Sequence, residues 1–212
     1  MVKCERTYPA PKSLEKRQSY NEEDVTSELD KIFNHKCYIC ELPNLQDGLV
    51  EHRVSHKGND DLKYDWDNLF WSCHHCNQWK NQERFEKDVI DCCHQNPENH
   101  IQCKYDPYSS EVVVNPKDND VSSVVTAELL DKVFNRANTG IRKIAQIQRR
   151  RALKEELNKF QKLLNEYCQN KSDYKRKKIR ALLRTKTAFA AFKRDYIREH
   201  QDEYKEFQEF VN

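Results

Sequence analysis

Two short segments constrain this chain more than any other feature: Cys37-Tyr-Ile-Cys40 and Cys73-His-His-Cys76. A gap of two residues lets both thiolates of a turn face one tetrahedral metal, with Zn–S about 2.3 Å. Two such turns close a four-cysteine site, and the 32 residues between them become a loop tied at both ends. Four thiolates in this pattern point to Zn²⁺, with redox or free thiols as the alternative. A site with four protein ligands keeps no open coordination position, so the zinc expected here is structural. The chain holds nine cysteines, an odd count. Its first 30 residues lack the apolar stretch of an export signal. A disulfide scaffold is therefore not expected, and a cytoplasmic location is. Cys92, Cys93, His94, His100 and Cys103 also cluster in sequence, but at spacings that match no common metal pattern. Buried small thiols beside surface histidines describe them better. Cys4 and Cys168 stand alone and read as packing or surface positions.

With 212 residues the chain can build one sizeable domain or two small ones. It is polar, with 34% charged and 37% hydrophobic residues, yet its 10% aromatics argue against wholesale disorder. Three glycines and six prolines favour helix and exclude collagen-like or flexible low-complexity designs. No apolar run reaches the roughly 18 residues of a membrane-spanning helix. The net charge of +2 hides a split. Residues 1–140 carry 17 Lys and Arg against 25 Asp and Glu, whereas residues 141–212 carry 20 against 10. Within 141–194 the ratio is 18 to 4. Such a basic half is either a solvated helical face or a surface for phosphates or an acidic partner.

Inside the zinc loop, Leu49, Val50 and Val54 mark a short strand and Leu69, Phe70 and Trp71 a second. The stretch from His56 to Asp67 reads as a polar loop, and His74 to Val89, free of Gly and Pro, as a helix. Glu51-His52, then Asn68-Leu69, then Cys73-x-x-Cys76-Asn77-x-x-Lys80 within this frame resemble the HNH endonuclease motif on a zinc-bearing ββα-metal finger. The resemblance spans residues 37–81. It implies metal-dependent hydrolysis of phosphodiester bonds in nucleic acid, DNA ahead of RNA. His52 then corresponds to the general base, a role that suits an imidazole with a pKa of ~6.5. Glu51 and Asn77 correspond to ligands of a catalytic Mg²⁺ or Mn²⁺, for which their hard oxygens are suited. Asn68 joins His52 in the implied catalytic set, as the residue that pins the loop and orients the base. Asn81, one helical turn beyond Asn77, and His56, near where many members carry proline, are candidates for the margin of the site. One physical difficulty stands. Neighbours on a regular strand point to opposite faces, so Glu51 and His52 share a site only if the strand bends or ends there. A non-catalytic zinc module would explain the cysteines but neither Glu51-His52 nor the Asn after Cys76.

The flanks divide the chain into an N-terminal lead-in with a helix (1–36), the zinc-stapled core (37–90), an irregular segment with a β-hairpin (91–125) and a basic helical region (126–212). Val25, Leu29, Ile32 and Phe33 predict a helix over 22–33, and 101–105 with 111–114 predict the hairpin. From Thr126, residues Leu130, Val133, Phe134, Ala137, Ile141 and Ile144 follow helical spacing, as do Leu153 to Tyr167. A last helix is expected to carry Ile179 to Phe207 and to return as the second arm of a long antiparallel hairpin. The fold class expected is therefore α+β. Beyond the finger, Pro9-Ala-Pro11, Cys37-Tyr-Ile-Cys40-Glu41, Tyr64-Asp-Trp-Asp-Asn-Leu69, Ile90-Asp91, Asn96-Pro97-Glu98-Asn99-His100 and Asn135-Arg-Ala-Asn-Thr139 are similar to the HNH nuclease subunit of the Septu antiphage system, also found with retrons. That likeness implies a bacterial effector working with an ATPase partner protein. The competing expectation is a zinc-binding adaptor that docks a protein or nucleic acid through its basic helices.

Overall fold

The computed structural model describes residues 1–136 and 139–212. Helix α1 (Glu23–Ile32) buries Val25, Leu29 and Ile32 on one face, with Glu23 and Asp24 at its positive end and Lys31 at its negative end. Asn34 and His35, both at positive φ, then turn the chain into the first cysteine pair. Strands β1 (Gly48–His52) and β2 (Leu69–Cys73) pair antiparallel, with Gly48 opposite Cys73 and His52 opposite Leu69. The connection between them is more structured than a polar loop. It carries α2 (Asp60–Lys63), capped by the Asn59 side chain, and a 3-10 turn at Trp66–Asn68.

Helix α3 (His74–Lys80) starts at the second cysteine pair and is shorter than its sequence suggests. The expected helix to Val89 ends at Asn81, because the backbone beyond is committed elsewhere. Phe85 turns into the core, the Glu86 carbonyl accepts from the Ser55 amide, and the Ile90 amide donates to Thr126 Oγ1. Strands β3 (Ile101–Asp106) and β4 (Glu111–Pro116) form the expected hairpin as a second two-stranded sheet.

Four helices complete the chain: α4 (Val121–Asn135), α5 (Gly140–Gln169), α6 (Asp173–Leu182) and α7 (Ala190–Glu199). The helical run expected from Thr126 through Ile144 belongs to two helices, α4 and α5. Ala137 lies outside the described residues, as does Asn138, and Ile141 and Ile144 are exposed. The expected last helix is also divided, into α6, α7 and a 3-10 turn at Lys205–Phe210. Side chains capture the carbonyls that would continue it. Thr187 Oγ1 donates to the carbonyls of Leu182 and Arg184, Lys36 Nζ takes those of Thr185 and Thr187, and Phe189 adopts a φ of 49°. Helix α6 still folds back on α5, but α7 turns away onto β3.

The fold is thus mixed α+β. One buried cluster gathers residues from Met1 to Phe192, drawing on the lead-in, both sheets and α4. A second packs the far half of α5 against α6 and the C-terminal turn through Phe160, Leu164, Ile179 and Phe207. Among the described residues no helix is long and apolar enough to cross a membrane.

Candidate metal centre and active-site cavity

The β1–β2 pair and the start of α3 bring the two cysteine pairs together. The Sγ atoms of Cys37, Cys40, Cys73 and Cys76 all lie within 4.8 Å of one another, and all four residues are buried. Cys40 and Cys73 are 3.9 Å apart at sulfur. A tetrahedral Zn(Cys)4 centre places its sulfurs about 3.8 Å apart, so these four can hold a metal such as zinc. Helix α5 closes the centre with a residue that sequence reasoning missed. Arg149, 7% exposed, donates from Nη2 to Cys73 Sγ at 3.0 Å and from Nη1 to the Ala145 carbonyl. Burial works against its charge, but the facing sulfurs of Cys40, Cys76 and Cys73 outweigh it and raise its pKa. No local signal marks Arg149 among the many basic residues of α5; only the helix crossing selects it. Among the described residues, Cys92, Cys93, His94 and Cys103 do not gather into a ligand cluster. His100 instead meets Asp118 at 2.9 Å, with Asp120 nearby and exposed.

At the end of β1 lies a cavity of about 300 Å³ lined by Tyr20, Val50, Glu51, His52, Ser55, His56, Asn77, Lys80, Asn81 and Glu86. It brings together Glu51, His52, Asn77, Asn81 and His56 of the sequence-predicted residues. Strand β1 is regular through Glu51 and ends at His52. Helix α3 lies across that end, so Lys80 Nζ is 3.3 Å from Glu51 Oε1 and 3.4 Å from the His52 carbonyl. Ending the strand there lets both neighbours line one cavity.

His52 is half-buried, and its Nε2 lies 3.0 Å from the Lys63 carbonyl. A carbonyl only accepts, so the proton of the neutral ring is assigned to Nε2 and Nδ1 is left as the basic atom. Burial lowers the pKa of the ring, opposed by that hydrogen bond. Tyr20 packs edge-on against it at 4.7 Å between centroids. Asn68 is not in the cavity. It is 3% exposed, donates from Nδ2 to the carbonyls of Val54 and Leu62, and accepts the Val54 amide at Oδ1. By holding Leu62 it places the adjacent Lys63 carbonyl on which His52 rests, so its action on the base is indirect.

Glu51 is 2% exposed and engaged at both oxygens: Oε2 accepts from the Tyr38 hydroxyl at 2.5 Å, and Oε1 faces Lys80. The Lys80 contact is ionic, and Oε1 has no hydrogen-bond donor. Lys80 could be suspected from its spacing of three after Asn77, which puts both on one helical face. Tyr38 carries no such signal, because nothing local says that a residue between two zinc ligands reaches Glu51. No protein-family model matches the chain, and searches of the curated proteins and of the solved structures return no match.

Proposed function

We propose that this protein is a metal-dependent HNH-type endonuclease that hydrolyses phosphodiester bonds in nucleic acid, most readily DNA. The observation that carries the reading is the single cavity at the end of β1, where an oriented imidazole, a buried carboxylate and an amide from α3 converge beside a four-cysteine centre. With Nε2 tied to a carbonyl, His52 presents Nδ1 to take a proton from an attacking water. The donors fit a hard divalent cation: Glu51 Oε1 is a buried oxygen without a hydrogen bond, and Asn77 offers a carbonyl oxygen to the same cavity. Mg²⁺ or Mn²⁺ bound there would supply charge neutralisation at the scissile phosphate and the leaving oxygen. Glu51 and Asn77 would hold it, and Asn68 keeps the base in place through the Lys63 loop. The four cysteines hold structural zinc, outside the reaction.

The setting we infer is an antiphage effector in the bacterial cytoplasm, acting with an ATPase partner, on the flanking-sequence likeness described above. Five of its segments fall on described residues; the last, 135–139, includes the undescribed 137 and 138. Plasmid degradation with Mg²⁺ or Mn²⁺, with and without EDTA, tests the nuclease reading. EDTA-sensitive cleavage lost in His52→Ala supports it, and cleavage by His52→Ala at the wild-type rate rejects it. A second reading, a non-catalytic adaptor, draws on Ile141, Ile144 and Ile147, which are exposed along the basic first half of α5. Inactive wild-type protein that binds a partner through α5 would favour it.

A further inference from the structure

A second imidazole stands on the wall of the same cavity. His56 follows the end of β1 in a loop turned at Gly58, whose φ is 87°. The Gly58 amide donates to His56 Nδ1 at 3.2 Å. A nitrogen that accepts a backbone N–H carries no hydrogen, so the neutral ring is protonated at Nε2. No hydrogen-bond partner for that Nε2 is seen among the described residues. The His56 ring lies 4.7 Å from the His52 ring between centroids, inclined by 57°.

We propose that His56 binds the substrate, donating from Nε2–H to a non-bridging oxygen of the phosphate that His52 addresses. This rests on the nuclease reading. A phosphodiester brings a negative charge to a cavity already lined by the carboxylates of Glu51 and Glu86. The nearby side-chain cations are paired with these carboxylates, Lys80 with Glu51 and Lys57 with Glu86. A divalent ion would face part of the phosphate only, and for a remaining oxygen His56 offers a ring N–H whose tautomer the Gly58 amide has already selected. Such pre-organisation removes an ordering cost from binding.

Kinetics of duplex-DNA cleavage with Mn²⁺, together with fluorescence anisotropy of a labelled duplex on a His52→Ala background, test this. His56→Phe keeps the ring packing and removes the donor. It should raise KM, and weaken duplex binding, by about 10- to 100-fold with kcat changed only a few-fold, as for one hydrogen bond to a charged group. His56→Gln, a neutral donor, should recover most of the loss, and zinc content should be unchanged in both. Wild-type KM and binding in His56→Phe, with His52→Ala inactive, would overturn this inference alone. A collapse of kcat at constant KM that Gln does not rescue would also overturn it, in favour of an acid role. Cleavage by His52→Ala at the wild-type rate, or none by wild type with its ATPase partner present, would remove the nuclease reading and this inference with it.

Discussion

The ring of His52 rests its Nε2 on the Lys63 carbonyl, which leaves Nδ1 as the basic atom of the proposed site. Burial lowers its pKa below the ordinary imidazole value. A depressed pKa means that the neutral, basic form persists to lower pH, so the acid limb of kcat/KM should fall below ~6.5. A pH profile with its acid limb above that value would contradict this assignment. His52→Ala should cost about 10²- to 10⁴-fold in rate while leaving zinc in place, and excess Mn²⁺ should not restore it. Asn77→Ala should differ, weakening the divalent ion, so that excess Mn²⁺ partly restores cleavage. Lys80 separates structure from chemistry in another way. Lys80→Met leaves the Glu51 carboxylate buried without its cation, a loss of about 3–5 kcal/mol. A divalent ion on Glu51 offsets that loss, so Mn²⁺ should raise the melting temperature of Lys80→Met more than that of wild type. Equal shifts in the two proteins would place the cation away from Glu51.

The strands and helices that frame the site depend on close approaches between elements. A Cβ built on Gly48 falls 2.0 Å from the Trp71 ring, so only glycine lets β1 lie against β2 at that position. Gly48→Ala should destabilise by about 1–3 kcal/mol, readable as a lowered denaturant midpoint. Helix α5 is joined to the four-cysteine centre through Arg149, and Cys37→Ser should loosen both, since structural metal binding is folding free energy. Zinc stripped by chelator should therefore expose the first half of α5 to protease before the rest of the chain, and Arg149→Met should do the same with zinc retained. The element boundaries show where pattern reading fails. Helix α1 and the β3–β4 hairpin match their local patterns, because apolar spacing and turn residues agree with burial there. Helix α3 gives way after Lys80 to 3-10 turns, with the Gln82 and Phe85 amides bonded to the Trp79 and Gln82 carbonyls, and the last helix is divided where Lys36 takes the carbonyls of Thr185 and Thr187.

Across the whole molecule, the buried carboxylate of Glu41 ties the first cysteine turn to α7. It meets the Met1 ammonium and Lys36 Nζ, and accepts the amides of Ala190 and Ala191. Burial alone would raise its pKa, but the two ammonium groups and their hydrogen bonds outweigh it and hold it at about 2. A carboxylate depressed this way lends stability above its unfolded pKa, and that stability is lost as pH falls from about 4.5 towards 2. Glu41→Gln should unfold more easily at neutral pH and show a flatter response over that acid window. The basic half is less uniform than its charge count. Lys175 binds the carbonyls of Glu166 and Asn170, and Arg176 faces Glu206, whereas Lys177 and Lys178 are exposed. Reversing Lys177 and Lys178 should therefore weaken polyanion binding without unfolding the helix, and binding to DNA should fall steeply with salt. A flat salt response would assign the surface to a protein partner.

The sequence by itself determined the four-cysteine centre, the α+β class, the hairpin and the candidates Glu51, His52 and Asn77. Each of these rests on short-range spacing, in which covalent geometry limits where a side chain can go. Only the tertiary structure decided that Lys63 orients His52, that Tyr38 and Lys80 hold Glu51, and that Arg149 meets Cys73. Those partners come from separate stretches of chain, and no local pattern encodes them. Their meeting is set by how β1, α3 and α5 cross when the apolar faces bury.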